Sequence, residues 1–92
     1  MITVIIYGQT LRQLFEDPQV ECEAAEPLKV KALLESHPLL AEKLGLFMKK
    51  GELLVTVNRK VGSLDSVVRD GDTVKLTHQF NPVLDGATWH NP

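Results

Sequence analysis

Cysteine is almost absent from this sequence of 92 residues, in which Cys22 is the one example. A single cysteine excludes a disulfide within the chain and leaves too few thiolates for a zinc site built on cysteine. Glu21 and Glu23 flank Cys22, and carboxylates near a thiol raise its pKa. We therefore expect Cys22 to be a small buried apolar residue and not a nucleophile.

The chain also lacks a basic surface and a long apolar run. Ten Lys and Arg against twelve Asp and Glu give a net charge of -2, and no cationic cluster is flanked by aromatic residues. This balance argues against binding to nucleic acid. The apolar residues 2–6 have neither a basic flank nor a cleavage site, and no stretch approaches the roughly 20 apolar residues that cross a bilayer. We expect a cytoplasmic protein with neither nucleic acid nor membrane as a partner.

Groups of residues that carry catalysis are missing as well. The sequence has no paired carboxylates, no nucleophile beside a base and no glycine-rich loop for phosphates. The three histidines, His37, His78 and His90, lie far apart and lack partners at the spacing of metal ligands. The sequence therefore predicts no catalytic residue, no metal site and no cofactor, and we expect the protein not to be an enzyme.

Alternation of apolar and polar residues predicts the strands. Residues 2–7 are apolar on both faces, which is typical of a strand inside a sheet. Residues 19–24 place Glu21 and Glu23 in water, which is typical of an edge strand. The same alternation predicts further strands at residues 53–58, 61–63 and 73–79.

Helical spacing predicts two helices. Val30, Leu33, Leu34 and His37 form the stripe of an amphipathic main helix that starts near Pro27 and stops before Pro38. A second patch, interpreted as a shorter helix, ends at Lys49-Lys50-Gly51, where cations and a glycine suit a helix C-terminus. A turn or single helical loop is predicted for the short segment that carries Leu11, Leu14 and Phe15.

These elements predict an α+β fold. Two opening strands, a crossover helix and a closing pair produce a mixed sheet with one main helix packed on one face, and the first and last long strands are parallel at its centre. This arrangement is the ubiquitin-like β-grasp. We expect one β-grasp domain over residues 1–86 and a C-terminal extension at residues 87–92.

Four segments in this order resemble the sulfur-carrier branch of the ubiquitin-like superfamily (MoaD/ThiS type), whose members include the small subunit of molybdopterin synthase and the sulfur carrier of the thiamine pathway. The segments are Met1–Gln9, Leu53–Asn58, Val68–Val74 and Pro82–Gly86. In that family an ATP-dependent adenylating enzyme activates the carboxylate of a terminal glycine, and sulfur transfer converts it to a thiocarboxylate. The domain itself catalyses nothing. The resemblance thus implies an adenylating enzyme, a larger enzyme subunit, or both, as partners.

The tail departs from the pattern of that family. Gly86-Ala87 replaces the usual Gly-Gly, and the sequence continues to Pro92, whose ring makes it a poor substitute for glycine. Two interpretations stay open. A processing peptidase removes residues 87–92 and exposes Gly86 for activation, or the domain has lost carrier chemistry and is a non-catalytic interaction subunit of a larger enzyme. The single tryptophan, Trp89, is expected to dock on the domain itself or on a partner.

A partner-binding surface is predicted on one face of the sheet. If Val4, Val55 and Val74 face the helix, the opposite face carries apolar residues that a lone β-grasp domain leaves exposed. In the resembling family this face and the tail engage the activating enzyme or the synthase partner. Incidental exposure is the alternative, since single apolar residues are common on protein surfaces. The residues predicted to bind a partner are Ile5, Tyr7, Leu54, Thr56, Phe80 and Trp89.

Overall fold

The computed structural model describes residues 1–79, and ten helices and strands lie in that part of the chain. In chain order they are β1 Ile2–Tyr7, α1 Gln9–Arg12, β2 Gln19–Cys22, β3 Leu28–Lys29, α2 Val30–Ser36, α3 Pro38–Lys50, β4 Leu53–Val57, β5 Lys60–Gly62, β6 Val67–Val68 and β7 Thr73–His78.

Five of the strands form one mixed sheet in the order β2-β1-β7-β4-β5. β1 and β7 are parallel neighbours at its centre, with Val4 opposite Val74, and the remaining pairs are antiparallel. β1 has a strand on each side and β2 is an edge, as the alternation of their residues predicted, and β5 is the other edge. The parallel pairing of the first and last long strands is confirmed.

The core lies between one face of this sheet and the helices. Val4, Val55 and Val74 are at most 1% exposed, as expected for residues that face the helices. Burying an aliphatic side chain of this kind contributes roughly 1.5–3 kcal/mol relative to leaving it in water. The alternating apolar residues of the strands therefore hold the two layers together. The helices contribute the fully buried residues Val30, Leu33, Leu34, Leu40 and Leu44.

The relative lengths of the helices differ from the prediction. α2 has seven residues and α3 has thirteen, so the helix interpreted as the shorter one is the longer. Pro38 ends α2 because the residue before a proline disfavours helical geometry, and His37 is extended. Proline also fits the first position of a helix, so Pro38 starts α3. Gly51 closes α3 with a φ of 70°, as predicted.

A second, two-stranded sheet was not predicted. Leu28–Lys29 pairs antiparallel with Val67–Val68, so the helix start predicted near Pro27 is wrong and α2 begins at Val30. The main-chain N–H of Val30 donates to the carbonyl of Ser66 at 2.9 Å, which satisfies a donor of the first helical turn. Strands of two residues carry too little alternation to be recognised in a sequence.

The connection between β4 and β5 is a tight turn. Asn58 and Arg59 have φ values of 48° and 73°, the left-handed geometry that two-residue hairpins require. The side chain of Asn58 donates to the carboxylate of Asp72 and accepts from the N–H of Thr73, both at 2.9 Å. The hydrogen bond from Asn58, followed by one from the main-chain N–H of Arg69, lowers the pKa of Asp72.

Candidate functional site

The face of the sheet opposite the helices carries two rows of side chains across its three central strands. Each row has a β7 residue in the middle, with residues of β1 and β4 on either side. We name these six residues the outer patch: Ile5, Lys75 and Thr56 form one row, and Tyr7, Thr77 and Leu54 form the other. The structure thus brings together the four sheet residues predicted to bind a partner. That they bind one stays a prediction.

An aromatic ring and a cation meet in the outer patch. Tyr7 is 58% exposed, and the ammonium nitrogen of Lys75 lies 4.9 Å from the centre of its ring. A cation–π contact at an exposed site contributes about 0.5–1 kcal/mol, which favours one orientation of the ring. Lys75 was not among the predicted site residues. The alternation of β7 did place it on the face opposite Val74, so the signal was present in the sequence.

A concavity of about 450 Å³ continues from the outer patch toward the β4–β5 turn. It contains the cations Lys75 and Arg59 and no carboxylate. This part of the sheet face therefore favours an acidic group over a basic one. The residues around it are Ile5, Thr56, Asn58, Arg59, Thr73 and Lys75.

Strand β7 carries the chain to the edge of the outer patch. Thr77 is the penultimate residue of β7, and its cross-strand neighbours are Tyr7 and Leu54. Beyond the strand, the N–H of Gln79 donates to the carbonyl of Glu52 at 3.0 Å, which holds the end of β7 against the start of β4. The last described residues of the chain therefore lie beside Tyr7 and Leu54.

His78 packs at the same end of β7 from the helix side. Its Nε2 lies 3.2 Å from a carboxylate oxygen of Glu52, and its ring meets that of Phe47 edge to face at 5.4 Å. These contacts agree with a structural role of His78.

Nδ1 of His37 is buried with no hydrogen-bond partner among the described residues. Within residues 1–79, no group of three or more His, Cys, Asp or Glu side chains is placed to hold a metal ion.

Cys22 is 4% exposed and packs in the core, which confirms the expectation of a buried apolar residue. Burial, followed by the charge of Glu21, raises the pKa of its thiol. A thiol with a raised pKa and little access to water is a poor nucleophile.

Three predicted site residues, Phe80, Gly86 and Trp89, lie outside the described residues, as do the predicted domain end at residue 86 and the extension at residues 87–92. Their roles stay predictions. In the described part of the chain, no helix is both long enough and apolar enough to cross a membrane.

No family model and no curated protein matches the chain, whereas solved structures do. A molybdopterin converting factor subunit 1 from Pyrococcus furiosus has a TM-score of 0.64 at 24% identity, over 85% of this chain and 95% of that chain. The chain has the β-grasp fold. CysO, in the crystal structure of the Amycolatopsis orientalis BexX/CysO complex, has a TM-score of 0.61 at 20% identity, over 88% of this chain and 98% of that chain.

These comparisons confirm the β-grasp and the α+β class predicted from the sequence. The resemblance to carriers of the MoaD/ThiS type is thus confirmed at the level of fold. Identities this low show a likeness of architecture alone, because one fold can carry unrelated functions.

Proposed function

We propose that this β-grasp domain is a ubiquitin-like sulfur carrier or protein modifier and not an enzyme. The observation that supports this proposal most is the course of β7, whose penultimate residue, Thr77, lies between Tyr7 and Leu54. The proposed docking face and the last described residues then lie at the same end of the domain, as a carrier handled by a larger enzyme requires. The likeness in fold to a molybdopterin converting factor subunit and to CysO agrees with this reading.

The proposed chemistry takes place at Gly86. After removal of residues 87–92, the carboxylate of Gly86 attacks the α-phosphate of ATP and displaces pyrophosphate, which gives an acyl adenylate. A hydrosulfide ion then attacks the carbonyl carbon, AMP leaves, a proton is released, and a thiocarboxylate remains. Glycine suits this position because it has no Cβ to hinder the carbonyl or to restrict the backbone. A partner enzyme supplies the catalytic groups.

The length of chain between the outer patch and Gly86 suits this division of labour. The chain between Gln79 and Gly86 spans up to about 25 Å when extended, at roughly 3.3–3.6 Å per residue. A carrier docked through its outer patch can therefore present Gly86 inside the active site of a partner without undocking.

We propose that the partner is an adenylating enzyme, a larger enzyme subunit, or both in turn. Tyr7 and Leu54 provide an aromatic and an aliphatic anchor, which are suited to the centre of an interface. Lys75 and Arg59 face a concavity without a carboxylate, so the matching surface of the partner carries an acidic side chain there.

A second candidate is a non-catalytic interaction subunit of a larger enzyme. One observation favours it: the outer patch is complete within residues 1–79 and needs nothing from the tail. This function requires docking alone, whereas the carrier function requires docking and a free Gly86.

The test is ATP–pyrophosphate exchange with the adenylating enzymes of the same host. The chain that ends at Gly86 is the substrate, and the full sequence and the shortened chain with Gly86→Pro are the controls. Exchange with the first chain and none with the two controls is the expected result for a carrier. Background exchange with all three, while a stable complex with an enzyme subunit still forms, would favour the second candidate instead.

A further inference from the structure

A groove of about 600 Å³ lies where the edge strand β2 meets the start of α3. Its lining shares no residue with the outer patch. The groove therefore represents a second surface of the β-grasp domain, and the proposed carrier chemistry makes no use of it.

The floor of this groove is apolar and partly open. Phe15 is 8% exposed, whereas Leu39, the second residue of α3, is 41% exposed. The residue after it, Leu40, is fully buried. Leu14 and Val20 are half-buried beside them. A groove with several apolar lining residues, one of them an exposed leucine, is typical of a surface that contacts a partner.

The β2 strand provides main-chain hydrogen-bonding groups along the groove. Within the described residues β2 pairs only with β1, so its other side presents free N–H and C=O groups. An extended segment can add to such an edge as a further strand. Alternate side chains of the added strand would then point over the groove, because successive residues of a strand face opposite sides.

Charge determines which segment fits. Glu16, Asp17 and Glu21 line the groove against the single cation Lys43. Two side-chain hydrogen bonds already hold the carboxylate of Glu21, whereas Glu16 and Asp17 form no ion pair with residues 1–79. The β2 edge of a second copy would bring the same acidic residues and be repelled, so a basic partner is favoured.

We propose that this groove binds an extended basic segment of a partner protein. The segment adds as a strand to β2, inserts an apolar side chain between Phe15 and Leu39, and places a Lys or Arg beside Glu16 and Asp17. This inference goes beyond the proposed function, because it concerns a different surface and holds whether or not Gly86 is activated.

The test is a titration of the full-length ¹⁵N-labelled protein with two blocked pentapeptides, Lys-Val-Leu-Val-Lys and its charge-reversed counterpart Glu-Val-Leu-Val-Glu. Amide chemical shifts report the site. We expect the basic peptide to shift the amides of Gln19–Cys22 and Leu39. The acidic peptide is expected to bind about tenfold more weakly, the effect of reversing two exposed charge pairs.

Matched substitutions separate binding from folding. Leu39→Glu removes the rim of the groove, whereas Leu46→Glu changes another leucine of α3, which is 60% exposed and does not line the groove. We expect Leu39→Glu to abolish the shifts caused by the basic peptide and Leu46→Glu to leave them unchanged. The double change Glu16→Lys and Asp17→Lys is expected to reverse the preference between the peptides. The proposal is overturned by no shift with the basic peptide, by shifts away from β2, by equal binding of both peptides, or by the same effect of the two leucine variants.

Discussion

The ammonium nitrogen of Lys75 lies 4.9 Å from the ring centre of Tyr7, so two neighbouring strands join a cation and an aromatic ring within the outer patch. Tyr7 is more than half exposed. An exposed tyrosine whose orientation is favoured by a neighbouring cation loses little conformational freedom when a partner covers it. Tyr7 is therefore the residue of the outer patch best suited to anchor an interface.

We predict that Tyr7→Glu and Leu54→Glu each weaken binding of the partner enzyme by a factor of about 30 or more, the loss typical of an interface anchor of at least 2 kcal/mol. Calorimetry with the adenylating enzyme or with the larger enzyme subunit measures the affinity of each variant. Leu46→Glu is the control, because Leu46 is an exposed leucine on a helix. Unchanged affinity of both outer-patch variants, with their melting temperatures retained, would show that the partner docks elsewhere.

Two glycines of one helical region are expected to respond oppositely to alanine. A Cβ on Gly45, inside α3, meets no atom within 4 Å, so Gly45→Ala raises the free energy of unfolding by about 0.5–1 kcal/mol. Gly51 has a φ of 70°, where a Cβ is strained, so Gly51→Ala lowers it by roughly 1–2 kcal/mol. Urea unfolding of the two variants checks this. A change of the same sign in both would be inconsistent with the geometry of α3.

Leu44 and Leu46 lie two positions apart in α3 and face different environments. Leu44 is fully buried, so Leu44→Ala is expected to lower the free energy of unfolding by about 2–5 kcal/mol. Leu46→Ala is expected to change it by no more than about 0.5 kcal/mol. Thermal and urea unfolding measure both. Similar losses at the two positions would mean that α3 packs on the sheet through another face.

Stability at acid pH is expected to depend on Asp72. The pKa of this carboxyl is lowered in the folded protein, first by the Asn58 side chain and then by the N–H of Arg69. A carboxylate with a depressed folded pKa stabilises the fold above its unfolded pKa of about 3.9, and this contribution is lost as the pH falls through the folded value.

Asp72→Asn is therefore expected to be less stable than the wild type near pH 6, and the difference is expected to shrink as the pH falls below about 4. Urea unfolding across this range measures it. Asp17→Asn is the control, because Asp17 is exposed and forms no ion pair with residues 1–79, and its stability near pH 6 is expected to stay within about 0.5 kcal/mol of wild type. A stability difference between Asp72→Asn and wild type that grows on acidification would contradict the lowered pKa of Asp72.

Local patterns in the sequence were enough for most of the sheet. Residues 2–7 are apolar on both faces, and the strand they form has neighbours on both sides. Glu21 lies on an edge, and Gly51 closes a helix with positive φ. Each of these features depends on residues close together in the chain, which is why alternation and helix-end signals found them.

The features that the sequence did not reveal depend on contacts between distant segments. Leu28–Lys29 becomes a strand only because Val67–Val68 pairs with it. The contact of Tyr7 with Lys75 depends on the register of β1 against β7. The groove beside β2 is lined by both Phe15 and Leu39, which are far apart in the sequence. Alternation assigns a residue to a face, but it does not determine which residues of another segment lie beside it.

The measurement that tests the central claim most directly is the intact mass of the protein purified from its own host. If Gly86 carries the chemistry, the spectrum is expected to contain a chain that ends at Gly86, with a fraction in which sulfur replaces one carboxylate oxygen. A spectrum that contains only chains extending to Pro92, all with an unmodified carboxylate, would contradict the carrier function and leave the β-grasp domain as an interaction subunit.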